Sequence, residues 1–105
     1  LQEELKFTSV AKLKQVLPKV VDELMIMYDL DADRMQGMFI HLACVVERLL
    51  SGGKTNPIPQ AQQLADALPD DYRAVAKTLR PLERMFRIII DDNAVATLLM
   101  MLKKI

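Results

Sequence analysis

One histidine, one cysteine and fourteen carboxylates carry most of the chemistry open to this 105-residue chain. His41 and Cys44 are three residues apart, close enough to be neighbours on one helical face. A Cys–His dyad also needs a third group to orient the imidazole and donors for an oxyanion. The sequence offers neither, and Cys44 reads as a small buried hydrophobe. Zinc needs three or four His, Cys or carboxylate ligands, so one His and one Cys do not make a metal site. Asp29, Asp31 and Asp33 resemble the opening of a calcium loop. Its glycine position holds Arg34 and its terminal glutamate position Ile40, so the segment reads as a turn with helix caps. Gly52-Gly53-Lys54-Thr55 resembles the end of a phosphate loop, but Arg48 stands where the earlier glycine belongs. No cofactor and no enzymatic site is expected.

A different chemistry remains for His41. A neutral imidazole accepts a phosphoryl group directly if a ring nitrogen is reachable and a cation offsets the incoming charge. Arg48, two helical turns along, has the reach and the forked geometry for phosphate. On a helix His41, Cys44, Val45 and Arg48 share one side. The competing reading is packing: His41 borders a core stripe through Phe39, Leu42 and Val46, and spacing alone favours that role. Glu47 and Arg48 then read as a solvated helix face with local ion pairs of little energetic weight.

The elements that must position these residues are helical. Apolar residues recur at three- and four-residue spacing along almost the whole chain, and strict alternation is nearly missing. Val10, Leu13, Leu17, Val20, Val21, Leu24 and Tyr28 mark a first helix, capped by Thr8 or Ser9 and either kinked or restarted at Pro18. Met35, Met38, Phe39, Leu42, Val46 and Leu49 mark a second, capped by Asp31 or Asp33 and stopped by Ser51-Gly52-Gly53. Lys54 to Pro59 reads as a loop, and a short third helix follows with Ala61, Leu64, Ala65 and Leu68. Pro69-Asp70-Asp71 opens a fourth helix through Tyr72, Val75, Leu79, Leu82 and Phe86, with a kink expected at Pro81. Ile88-Ile89-Ile90 reads as an extended connector. Asp91 or Asp92 caps a fifth helix through Val95, Leu98, Leu99 and Leu102, which is apolar on more than one stripe and so expected at the centre. The fold class is all-α, a compact bundle of about five helices with an aliphatic core.

Fourteen basic residues balance fourteen acidic ones, so the chain lacks the cationic surplus that gripping DNA or RNA requires. No apolar run approaches the ~20 residues of a membrane span. A lone cysteine suits a reducing compartment, and a cytoplasmic location is expected.

At the His41 segment the sequence resembles the PTS regulation domain (PRD) of bacterial sugar-operon regulators, most of all the version in enhancer-dependent activators. The residues that carry the resemblance are His41-Leu42-Ala43-Cys44-Val45-Val46-Glu47-Arg48, followed by Leu49, Leu50 and Gly52. The Asn56-Pro57 loop and Phe86-Arg87-Ile88-Ile89-Ile90-Asp91-Asp92 before the last helix extend it, so that it spans about residues 17–102. The resemblance implies a five-helix bundle that regulates an attached activator or antiterminator through histidine phosphorylation and altered domain association. It implies His41 as phosphoacceptor, Arg48 as its neighbour, and HPr or a sugar-specific PTS component as donor. A homodimer is implied, with nucleic acid bound only by other domains. The family often has a Glu at the start of its last helix and a second His seven residues later. Here Asn93 and Met100 hold those positions, which leaves at most a single-site switch. Residues 1–105, which begin with Leu1, are expected to be one such domain of a larger regulator, with about residues 1–9 as linker. The alternative is a helical dimerisation or protein-interaction module in which His41 is not phosphorylated.

Overall fold

Ser9 starts the first helix, as its side chain accepts a hydrogen bond from Lys12 N (3.3 Å). The computed structural model describes residues 7–54 and 57–103. Within these, helix α1 spans Val10–Met27, α2 Ala32–Leu50, α3 Ala61–Ala67, α4 Pro69–Thr78, α5 Arg80–Phe86 and α6 Asp92–Lys103. No strand occurs among the described residues. The protein is an all-α bundle.

Most punctuation follows the side chains that the sequence offers. Asp31 caps α2 by accepting from Arg34 N at 2.8 Å, and Asp91 caps α6 by accepting from Ala94 N at 3.0 Å. Gly52 and Gly53 close α2 as a Schellman turn. Gly52 takes φ +83°, its N–H reaches the Leu49 carbonyl, and Gly53 N–H reaches that of Arg48. Residues 55 and 56 of the expected loop between α2 and α3 lie outside the described residues.

The two prolines act differently. Pro18 leaves α1 continuous; it is exposed, so water can serve the Lys14 carbonyl that loses its amide partner. The expected kink at Pro81 is instead a break two residues earlier, at Leu79, dividing the fourth helical pattern into α4 and α5. A proline ring collides with the carbonyl four residues back, here that of Lys77, so the first helix ends before the ring arrives. Helix α5 then ends on Arg87 in the left-handed region (φ 55°), a conformation that costs a non-glycine residue roughly 1–2 kcal/mol. Ile88–Ile90 is the expected connector. Ile90 is buried and Ile89 exposed, and Ile90 N donates to Glu83 Oε2 at 2.8 Å.

The core is aliphatic. Leu24, Met38, Leu42, Leu79, Leu82, Leu98 and Leu99 are sealed from solvent. Helix α6 buries Ala94, Val95, Ala96, Leu98, Leu99 and Leu102 and packs against α2, α3 and α4, the central position its sequence implies. Helix α2 runs antiparallel to α6, because Arg34 near its start donates from Nη1 to the Met101 carbonyl near the end of α6 (2.8 Å).

Candidate functional site

Helix α2 is apolar on the face that holds Met38, Leu42 and Val46, and this fixes the rotation of the whole helix. His41, Cys44, Val45 and Arg48 are thereby presented together toward the N-terminal half of α6. With Asn93, Ala94 and Thr97 they line one cleft of about 180 Å³. The side shared by His41 and Arg48, read from spacing, is thus the wall of a real cavity.

His41 is half-buried, and its Nε2 is buried without a hydrogen-bond partner. Burial lowers the imidazole pKa below its usual value, and the Ala94 carbonyl opposes that shift by favouring the protonated ring. The net effect keeps the ring neutral, the form whose unprotonated nitrogen is a nucleophile. Arg48 is exposed at the cleft and brings a cation to its rim. Gly53 stands beside its stem: a Cβ there would lie 3.1 Å from Arg48 Cγ.

The opposite wall is built by α6. Asn93 Oδ1 accepts from Ile58 N (3.2 Å), tying the loop before α3 to the cleft. The Thr97 hydroxyl donates to the Asn93 carbonyl (2.9 Å). Met100 is half-buried on the same helix and does not line the cleft. Thr97 was not legible as a site residue, although Asn93 and Thr97 at i, i+4 give the signal once α6 is known to face α2.

Two expectations need correction. Cys44 is exposed in the cleft rather than buried, because it sits on the α2 side turned from the Leu42–Val46 stripe. Glu47 is no merely solvated side chain. Its Oε1 accepts from Phe7 N, Thr8 N and Thr8 Oγ1, each at 2.9 Å, and so fastens the segment before α1 to α2. Thr8 is buried by that docking, which leaves Ser9 as the cap of α1.

Polar side chains outside the cleft lining also tie the helices together. The Tyr28 hydroxyl donates to Asp71, whose carboxylate also lies 3.8 Å from Lys103 Nζ, and Tyr72 donates to Asp92. Among the described residues no three His, Cys, Asp or Glu side chains gather to hold a metal ion, and no helix is long and apolar enough to cross a membrane.

No curated protein and no solved structure matches the chain. A family model does: the one described as PRD domain, over residues 14–105.

Proposed function

The chain belongs to the PRD family, whose members are regulatory rather than catalytic domains under PTS control, and on that premise we propose that His41 is its phosphoacceptor. The observation that carries the proposal is that His41 and Arg48 open onto one cleft, with the imidazole held neutral by burial. The donor is phosphorylated HPr or a sugar-specific PTS component. When the donor is a phosphohistidine, its N–P bond breaks as the unprotonated nitrogen of His41 supplies the electron pair for a new one. The donor imidazole leaves with its own pair and takes up a proton.

The product brings close to two negative charges into a cleft whose α6 wall starts with Asp91 and Asp92. Those carboxylates already answer the positive end of the α6 dipole, so the offset falls to Arg48. A phosphoryl group also has no room beside a sealed Nε2, so modification there requires the ring to turn out or α2 and α6 to part. Either movement changes the surface around the cleft. In this reading that change alters association between domain copies, a homodimer included, and sets the activity of an attached activator or antiterminator in the cytoplasm. Nucleic acid is bound by other domains of the parent protein.

A second reading is an interaction module in which His41 serves only as packing. The buried Nε2 favours it, as do Asn93 and Met100 in place of a second site. Phosphotransfer separates the two. The chain is incubated with phosphoenolpyruvate, the first PTS enzyme, HPr and sugar-specific components in turn, and its intact mass is followed beside His41→Ala. An acid-labile gain of one phosphoryl group, lost in the variant, is the expected result. An unchanged mass with every donor selects the packing role.

A further inference from the structure

The chain has no net charge, yet its basic residues are not spread evenly. From Arg73 to Arg87 there are five, Arg73, Lys77, Arg80, Arg84 and Arg87, and all are exposed. The one acid in that stretch, Glu83, is turned inward to Ile90 N. None of the five forms an ion pair with a described residue. Arg80 and Arg84 are one turn apart on α5 and share a face. Arg87 ends that helix in a left-handed conformation that suits glycine better, so a guanidinium stands where local backbone preference does not ask for one.

One residue of this stretch, Arg84, lines a groove. Where α5 packs on α1, Gln15, Val16 and Lys19 of α1 face Pro81, Arg84 and Met85 of α5 across an open channel of about 460 Å³. The floor is apolar, from Val16, Pro81 and Met85, and Lys19 and Arg84 add cations from the two helices. It is separate from the His41 cleft, with which it shares no residue.

We propose that the α1–α5 groove is a docking site for an acidic amphipathic segment of a protein partner. Its carboxylates lie between Lys19 and the Arg80–Arg84 face, and an apolar side chain enters over Val16, Pro81 and Met85. Charge complementarity selects an acidic occupant. The apolar floor selects a polypeptide over a nucleic acid, whose phosphates have nothing to place there. No aromatic side chain lines the groove to stack on bases. The partner is thus recognised by a face that phosphoryl transfer at His41 does not need.

The 105-residue chain is titrated with a fluorescent helical peptide rich in Glu, free of Lys and Arg, and bearing Leu at four-residue spacing, followed by anisotropy and amide chemical shifts. Binding is expected to perturb amides around Lys19 and Arg84, to weaken with salt, and to fall about tenfold or more in Lys19→Glu/Arg84→Glu. Lys14→Glu, on a different face of α1, is expected to stay within about twofold of the parent, and circular dichroism checks that each variant is folded. No binding, or shifts away from the groove, would overturn the proposal. So would equal affinity for a Glu/Ser peptide without leucine, or tighter binding of a single- or double-stranded oligonucleotide of matched charge. These outcomes do not depend on whether His41 accepts a phosphoryl group.

Discussion

At the scale of single residues, His41 has a folded environment that disfavours its charged form. The unfolded chain titrates near the ordinary value of about 6.5, and the folded chain lower. Between those two values the unfolded state binds more protons, so stability rises with pH across the window and is lost as pH falls through it. Urea melts at pH 7.5 and 5.5 are expected to show the parent losing more stability on acidification than His41→Gln does. Parallel losses in the two proteins would mean that burial does not hold the ring neutral. Glu47 is a contrasting case. Its neighbour Arg48 shares a helical side with His41 by spacing, and both line the cleft; the three bonds that Glu47 accepts join residues some forty positions apart. No local pattern carries that information.

At the scale of elements, each helix boundary answers to a few atoms. Gly52 adopts φ +83° with open space around its missing Cβ, so Gly52→Ala meets backbone strain and no collision. A loss of about 1 kcal/mol is expected, read as a lower urea midpoint with unchanged slope. A neutral result would mean that the α2 stop relaxes into another turn. The caps, the glycine stop and the isoleucine connector were legible because Asp, Ser and Gly act on amides within three or four residues of themselves. The break at Leu79 was displaced from its apparent cause because Pro81 acts backward, on the Lys77 carbonyl. The exposure of Cys44 was not legible, since an apolar neighbourhood in sequence does not say which flank of the stripe turns to a cleft. The pairing of α2 with α6 likewise rests on contacts between distant segments, and Thr97 became a site residue only through it.

At the scale of the whole molecule, α6 holds the bundle together, packed against α2, α3 and α4 with Leu98 and Leu99 sealed at its centre. Leu98→Ala removes a fully buried side chain there, and a loss of roughly 2–5 kcal/mol is expected on chemical denaturation. Against a stability of about 5–15 kcal/mol for a domain, that endangers the fold, whereas a smaller loss would mean that the core collapses into the space. The same helix meets α2 unequally along its length. At one end Arg34 grips the Met101 carbonyl; toward the other, His41 and Arg48 face Asn93, Ala94 and Thr97 across open volume. The pair is thus tied at both ends, by Arg34 on the Met101 carbonyl and by His41 against the Ala94 carbonyl, with the cleft opening beside the second tie. A group entering the cleft therefore competes first for the single polar tie between the His41 ring and the Ala94 carbonyl, so the seat of any chemistry at His41 is also a seam of the bundle.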